Sequence, residues 1–228
     1  MVIGLTGIYC AGKNHVASLL EARGLPVLDV DKLGYRALEL EKEAVFAKFG
    51  QDLKKDDGSL DRRLLGQRVF GKPDELAFLE AIIHPVANQM TDEWITAKNG
   101  NCVINAALLH RSPVFYKLKH VILVKAPFLI RFLRARKRDK LPFKEILNRF
   151  ASQNDFYTQY LSINAEIHIV ENSGLSGFQN LKLERQLTRL LRGFSNYGKR
   201  NEKITVGCRI CRCFFNDNHY CRYSSFNA

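Results

Sequence analysis

The 228-residue sequence lacks long apolar runs and has few cysteines over most of its length, and both features limit the class of protein that it can be. No apolar run approaches the roughly 18 residues that a membrane-spanning helix requires, so we expect no membrane segment. Lys13 interrupts the first apolar stretch, which argues against a secretory signal there. Cysteine is scarce before residue 200, where only Cys10 and Cys102 occur. We therefore expect a reduced, cytoplasmic protein that needs no disulfide bond.

Basic residues outnumber acidic residues in this sequence. The chain carries 35 Lys and Arg residues against 23 Asp and Glu residues, a formal net charge of +12. Such a balance suits an anionic partner, whether nucleic acid, a membrane surface or a polyphosphate ligand. The excess is concentrated at residues 131–140 and in the tail 194–228, which favours local sites over a general coating. An apolar content of 46% excludes a disordered or fibrous chain.

Short apolar runs alternate with helical patterns. The predicted strands are 2–6, 26–30, 102–106, 120–124 and 166–170. The predicted helices are 14–21, 36–50, 61–71, 73–98, 127–138, 143–160 and 175–192. This order predicts an α/β fold with a parallel sheet between two layers of helices. The helices of 36–98 are interpreted as an insertion that binds a substrate, and those of 127–160 as a second, arginine-rich insertion.

One motif indicates the chemistry. Residues 7–14 read G-x-x-x-x-G-K-N, directly between a predicted strand and a predicted helix. Glycines let backbone N–H groups surround phosphate oxygens, and the lysine reaches the β- and γ-phosphates of a nucleotide. The alternative is an ordinary turn with an exposed lysine. The predicted ATP-binding residues here are Gly7, Tyr9, Cys10, Ala11, Gly12, Lys13, Asn14 and His15.

Two acidic residues end the second predicted strand. Asp29 and Asp31 should face the phosphate loop, because ligands gather at the carboxyl ends of parallel strands. One carboxylate would accept a proton from an attacking hydroxyl, and the other would help to hold Mg²⁺. Asn14 stands where a Ser or Thr normally binds that metal, and its amide oxygen is an alternative ligand. We predict Asp31 as the base and Asn14 with Asp29 as the Mg²⁺ site; a turn or helix cap remains the alternative for the two aspartates.

The basic cluster at 131–140 has helical spacing. Arg131, Arg134 and Arg138 follow one another at i, i+3 and i+7, along one face of a helix. Such a face can clamp a transferring phosphate, as the lid of a small kinase does. A solvated basic helix is the alternative, and the phosphate loop favours the lid.

Several further segments together resemble one family. They are Ile3–Gly7 with Ala11–Lys13, Pro26–Asp31, Asp57–Arg63, Arg68–Phe70, Ile82–Pro85, Arg134 with Arg138–Asp139, Gln153, and Asn172–Gly174. In this order they resemble dephospho-coenzyme A kinase over about residues 2–192. The resemblance implies a P-loop NTPase-type three-layer α/β sandwich with a helical substrate-binding insertion and an arginine-rich lid.

The same resemblance implies transfer of the ATP γ-phosphate, with Mg²⁺, to the ribose 3′-hydroxyl of dephospho-coenzyme A. It assigns catalysis to Asp31, Lys13, Arg134 and Arg138. It assigns acceptor binding to Asp31, Arg63 and His84, and adenine binding to Asn172. A histidine packed at a helix end is an equally weighted alternative for His84. The chain departs from the family pattern at Asn14, at Tyr35 and at Asn105–Leu109.

We predict one kinase domain, residues 1–193, followed by a basic, disordered tail at 194–228. The tail spaces its cysteines as C-x2-C-x-C-x7-C, for which Zn²⁺ binding is the minor alternative. Two other functions stay open at this point: another nucleotide or nucleoside kinase, and a catalytically weak protein that binds nucleotide or nucleic acid. Nucleic acid is not the expected partner, and we expect a monomer or small homo-oligomer.

Overall fold

The structure, a computed structural model, describes residues 1–153, 156, 158–161, 165–174 and 177–197. The chain divides into two compact units, residues 1–190 and residues 191–228. Of the second unit, only residues 191–197 are described, and they belong to the last helix. Of the predicted disordered tail at 194–228, residues 194–197 belong to this helix, and the rest, with its four cysteines, lies outside the described residues.

A five-stranded parallel sheet forms the centre of the first unit. Its strands are β1 (Val2–Gly7), β2 (Val27–Asp29), β3 (Cys102–Asn105), β4 (His120–Lys125) and β5 (Glu166–Glu171). They lie in the order β2-β3-β1-β4-β5, and every pair is parallel. The predicted parallel α/β fold is confirmed. Because β1 is central, the loop that follows it begins between the ends of β3 and β4.

The central strands are apolar because helices or loops cover both faces of the sheet. Every residue of β3 is buried, as is every residue of β4 except the last. In the register of the sheet, Leu5 pairs with Asn105 and Gly7 with Val124. Asn105 is the one polar residue of β3, and it lies at the carboxyl end beside the start of the glycine-rich loop. A polar side chain therefore lies at the carboxyl end of an otherwise apolar strand, beside the loop.

The helices are α1 (Lys13–Glu21), α2 (Val30–Leu40), α3 (Lys42–Phe49), α4 (Arg62–Val69), α5 (Pro73–Ala97), α6 (Phe128–Asp139), α7 (Phe143–Ala151), α8 (Thr158–Leu161) and α9 (Gly177–Tyr197). The single helix predicted at 36–50 is wrong. A first helix begins earlier, at Val30, because Asp29 caps it, and it is separated from α3 at Glu41. The helix predicted at 143–160 is also interrupted, since α7 ends at Ala151.

The helical segment between β2 and β3 has a hydrophobic core of its own. Phe46, Leu53, Leu60 and Leu65 are among its buried residues. In this segment α5 packs along α2, the helix that begins directly after β2. A second small cluster joins α6 and α7 to the glycine-rich loop, through Cys10, Ala135, Ile146 and Phe150. Among the described residues, no helix is both long and apolar enough to cross a membrane.

Candidate active site

The loop between β1 and α1 has the backbone geometry of a phosphate cradle. Gly12 has φ +87°, and a Cβ atom there would lie 2.2 Å from Nδ2 of Asn172. Cys10 also has a positive φ, 59°, which is uncommon for a residue with a side chain. Among the described residues, no side chain caps α1; the His15 N–H donates to Gly12 O at 3.1 Å, and the N–H groups of Lys13 and Asn14 have no acceptor within the helix. The loop and the helix can therefore offer backbone donors to an anion.

Lys13 and Asp31 meet at this cradle. Lys13 Nζ lies 3.2 Å from Asp31 Oδ2, although the two residues come from the starts of different helices. The backbone N–H of Ala107, just after β3, lies 3.4 Å from Asp31 Oδ1, at the long end of a hydrogen bond. The Lys13 side chain is largely buried, whereas that of Asp31 is 51% exposed. A cation that can bind phosphate thus lies beside a carboxylate that solvent or a substrate can reach.

Asn14 pairs with an asparagine from another strand. Asn105 Nδ2 donates to Asn14 Oδ1 at 3.3 Å. Asn105 is buried, and its Oδ1 has no hydrogen-bond partner among the described residues. A buried amide oxygen without a donor is costly, so it favours an additional donor or cation at this position. Asn14 and His15 themselves are exposed at the start of α1.

Asp29 caps a helix. Its Oδ1 accepts the backbone N–H of Lys32 at 3.2 Å, and its Oδ2 lies 3.8 Å from Lys32 Nζ. These contacts match the helix-cap alternative and give Asp29 a structural role at the start of α2. Its assignment as a Mg²⁺ ligand stays a prediction.

Arg134 joins the phosphate loop to the segment after β5. One guanidinium nitrogen donates to the backbone oxygen of Ala11 at 3.0 Å. The other donates to the backbone oxygens of Asn172 at 3.2 Å and Gly174 at 2.7 Å. Asn172 adds a second link, because its Nδ2 donates to the same Ala11 oxygen at 2.9 Å. Burial lowers the pKa of Arg134, but hydrogen bonds to several oxygens suit a charged guanidinium.

Arg138 lies in a second cluster, nearer to solvent. Its Nε donates to Asp139 Oδ1 at 2.6 Å, and this hydrogen bond raises the pKa of Arg138. Its guanidinium lies 5.2 Å from the centroid of the Tyr9 ring. Tyr9 also donates its hydroxyl to Asp139, and Arg149 Nη1 lies 3.5 Å from the same carboxylate. The cluster connects α6 and α7 to the phosphate loop.

The predicted acceptor-binding residues lie on the helical segment. Arg63 is exposed in the first turn of α4, and His84 is exposed on α5. The His84 side chain is therefore not packed, which disfavours the alternative of a histidine buried at a helix end. Next to Arg63, Arg62 lies 4.9 Å from the centroid of the Tyr35 ring. The acceptor roles of Arg63 and His84 stay predictions.

A test of the Arg134 network follows from its geometry. Arg134→Lys keeps the charge but loses the planar fork, so one ammonium group would have to replace two guanidinium nitrogens. We expect the free energy of unfolding to fall by about 1–3 kcal/mol and the KM for ATP to rise roughly tenfold. Arg136→Lys, an exposed change on the same helix, is the matched control. Denaturant unfolding and steady-state kinetics would contradict this role if the two variants behaved alike.

Sequence reasoning missed two features of this site. The pairing of Asn105 with Asn14 was not anticipated, although a single polar residue at the end of an apolar strand beside the loop is a usable signal. Arg134 was predicted as part of a lid, yet its hydrogen bonds run to backbone oxygens of the loop and of residues 172 and 174. No local sequence pattern predicts that backbone carbonyl groups from distant segments come together around one arginine.

Comparisons with known proteins agree with this geometry. A family model described as dephospho-CoA kinase matches residues 1–176. The dephospho-CoA kinase of Treponema denticola is 33% identical over 206 residues, which cover 85% of this chain and 91% of that protein. The Bacillus licheniformis dephospho-CoA kinase is 33% identical over 207 residues, covering 87% of this chain and 99% of that protein.

Solved structures give the same result. A Thermus thermophilus crystal structure superposes with a TM-score of 0.69 at 32% identity, covering 85% of this chain and 97% of that one. The Campylobacter jejuni dephospho-CoA kinase superposes with a TM-score of 0.64 at 22% identity over 85% of this chain and 98% of that one, which supports the fold. Since the family model and these relatives span the sheet, the phosphate loop and the helical segment, the chain belongs to the dephospho-CoA kinase family of P-loop kinases.

Proposed function

We propose that this protein transfers the γ-phosphoryl group of ATP to the ribose 3′-hydroxyl of dephospho-coenzyme A, giving coenzyme A and ADP. The observation that carries the proposal is the pairing of Lys13 with Asp31 at 3.2 Å beside the phosphate loop. The Lys13 ammonium group can bind the phosphates of ATP, and the Asp31 carboxylate can accept a hydrogen bond from the hydroxyl of the acceptor. The transfer is direct, and no phosphoenzyme is formed.

Asp31 is the proposed general base. The hydroxyl oxygen attacks the γ-phosphorus, its proton passes to the Asp31 carboxylate, and the bond from phosphorus to the ADP oxygen breaks. The contacts with Lys13 and the Ala107 N–H hold the carboxylate in place on one side. Its exposed part remains open for the acceptor.

Lys13 and the loop bind the triphosphate. Binding requires Lys13 to exchange part of its contact with Asp31 for phosphate oxygens, which frees the carboxylate for the acceptor hydroxyl. Arg134 and Asn172 fix the shape of the loop through Ala11, and Asn172 is buried there, so its adenine-binding role stays a prediction. Arg138, tied to Asp139 and Tyr9, is the proposed lid arginine that approaches the transferring phosphate. Positioning and charge neutralisation account for most of the expected rate enhancement.

The residues near Asn14 fit a magnesium ion. Amide and carboxylate oxygens are hard ligands of the type that Mg²⁺ prefers, and Asn105 Oδ1, beside Asn14, is a buried acceptor without a donor among the described residues. We assign Asn14 and Asp29 as the residues that would hold it. The ion would neutralise charge on the β- and γ-phosphates. Asn105 would orient the Asn14 amide through its hydrogen bond.

This assignment predicts that replacing Asn14 changes the Mg²⁺ requirement of the reaction. Asn14→Ala removes the amide oxygen, so the Mg²⁺ concentration for half-maximal rate should rise roughly tenfold, the low end for loss of a group in a metal site. Electron paramagnetic resonance with Mn²⁺ and ATP reports the same loss without catalysis. Asn148→Ala, an exposed change on α7, is the control. An unchanged metal requirement would remove Asn14 from the metal site.

The helical segment is the proposed acceptor-binding region. Its helix α5 packs along α2, which carries Asp31, so an acceptor bound in this segment can present its 3′-hydroxyl to the carboxylate. Exposed Arg63 and His84 offer a cation and a hydrogen-bond donor to the phosphate groups of dephospho-coenzyme A. We further propose residues 1–193 as the kinase domain, with residues 36–98 as this region and 127–160 as the lid.

A panel of acceptors tests the substrate. With ATP and Mg²⁺, dephospho-coenzyme A should be phosphorylated with a kcat/KM at least about 100-fold above those of AMP, CMP and shikimate, a discrimination of the size that specific polar contacts provide. Preference for a nucleoside monophosphate would favour the other kinase alternative, which the family comparisons do not favour. Tight, salt-dependent RNA binding without phosphoryl transfer would instead indicate a nucleic-acid-binding protein.

The proposed compartment is the cytoplasm. Cys10 and Cys102, the two described cysteines, are buried free thiols, which is typical of a reducing environment. The acceptor and donor assigned above require no further partner, and a monomer or small homo-oligomer remains the expected state.

A further inference from the structure

Two histidines and a glutamate gather at the end of the sheet opposite the phosphate loop. His120 is the first residue of β4, and it pairs with Glu166, the first residue of β5. His168 pairs with Ile122, two residues further along both strands. Because paired residues in parallel strands share a face and side chains alternate, all three project from the same face. His120 pairs with Ile3, and Gly7 pairs with Val124, four residues further along both strands. The group therefore lies about 13 Å from the end of β1 that carries the phosphate loop.

The three side chains bring their ligand atoms together. His120 Nδ1 lies 3.2 Å from His168 Nε2 and 3.6 Å from Glu166 Oε2. His168 Nε2 lies 3.8 Å from the same carboxylate oxygen. A triangle with these sides has a circumradius of about 2.1 Å, so one point lies at that distance from all three atoms. That is the length of Zn–N and Zn–O bonds.

The donor set suits a transition metal better than magnesium or calcium. Imidazole nitrogens favour Zn²⁺, Cu²⁺, Ni²⁺ or Co²⁺, whereas Mg²⁺ and Ca²⁺ favour oxygen. Burial lowers the pKa of both His120 and His168, and neutral rings are the form that binds metals. His120 is 4% exposed, while Glu166 is open to solvent. A metal here would reach its site from the exposed Glu166 side.

We propose that His120 Nδ1, His168 Nε2 and Glu166 Oε2 form a binding site for a divalent transition metal of the zinc class. The site is separate from the proposed magnesium position at the carboxyl ends of β1–β3. The metal links the edge strand β5 to β4 and thereby stabilises the part of the sheet that leads to Asn172. Its role is structural, since the ligands lie away from the nucleotide loop. Phosphoryl transfer to the acceptor does not require this metal.

The experiment uses the full chain with Cys208, Cys211, Cys213 and Cys221 replaced by Ser, so that tail thiols cannot bind the added metal. After removal of bound metal with EDTA, Zn²⁺ should bind with one equivalent per chain in calorimetry. At a 100-fold excess over its dissociation constant, Zn²⁺ should raise the Tm by roughly 5–10 °C. Co²⁺ should give visible absorption bands without the near-ultraviolet thiolate bands.

Variants locate the metal. His168→Gln and Glu166→Gln should each weaken Zn²⁺ binding at least about tenfold and, at the same Zn²⁺ concentration, reduce the Tm shift to about half or less. Glu171→Gln, another exposed carboxylate of β5, is the matched control and should bind Zn²⁺ normally. If His168→Gln does not fold, the exposed Glu166→Gln decides alone. The proposal is overturned if the cysteine-free tail variant binds no Zn²⁺ or Co²⁺, or if binding survives Glu166→Gln unchanged. These readouts are independent of phosphoryl transfer.

Discussion

Lys13→Ala should lower kcat/KM for ATP by roughly 10³-fold. Lys13 is the cation of the phosphate loop, and its ammonium group already lies 3.2 Å from the proposed base. Its loss removes charge neutralisation on the phosphates where negative charge moves during transfer. A coupled ADP-release assay with dephospho-coenzyme A measures the change.

The control for this variant is Lys98→Ala. Lys98 is an exposed lysine that follows α5, before the amino end of β3, so its removal changes the net charge equally without reaching the loop. It should retain nearly all activity. If Lys13→Ala lost less than about tenfold in kcat/KM, the loop would not be the site of phosphoryl transfer.

Asp31→Asn should lower kcat by roughly 10²–10⁴-fold and leave the affinity for ATP within about threefold of normal. The amide keeps the size of the carboxylate and an oxygen for the Ala107 N–H, but it cannot accept a proton from the acceptor hydroxyl. Releasing Lys13 from its ion pair also leaves that cation available to phosphate. The kcat from phosphoryl transfer and the dissociation constant from equilibrium nucleotide binding separate the two effects.

Asp92→Asn is the matched control. Asp92 is an exposed carboxylate in the last turns of α5, where it forms an ion pair with Lys117. It should have normal kcat. A collapse of ATP affinity in Asp31→Asn, with kcat preserved at saturation, would make Asp31 a nucleotide or metal ligand and would leave the reaction without its assigned base.

The parts of the site that could be predicted from the sequence are local. An apolar strand, a glycine-rich loop and a helix follow one another within about 20 residues, and local spacing alone indicates a phosphate cradle. The parallel sheet was also predictable, because alternating strands and helices leave few other arrangements. Asp31 could be placed near Lys13 for the same reason, since both follow the carboxyl ends of strands.

The remaining contacts depend on tertiary packing. Arg134 was predicted from a basic helical face, but its acceptors are carbonyl groups more than 30 residues away. The single helix predicted at 36–50 was wrong because capping by Asp29 starts α2 inside the region assigned to a strand, and α2 ends before α3 at Glu41. Glu166 and His168 lie 46 and 48 residues after His120 along the chain, and only strand pairing brings them to it.

The most direct test is a crystal structure with a non-hydrolysable ATP analogue and dephospho-coenzyme A bound together. The account predicts a triphosphate surrounded by the backbone of residues 7–14, with Lys13 on its terminal phosphate. It also predicts the ribose 3′-hydroxyl within hydrogen-bond distance of the Asp31 carboxylate and in line with the γ-phosphorus. An acceptor hydroxyl directed away from Asp31, or a nucleotide bound outside this loop, would contradict it.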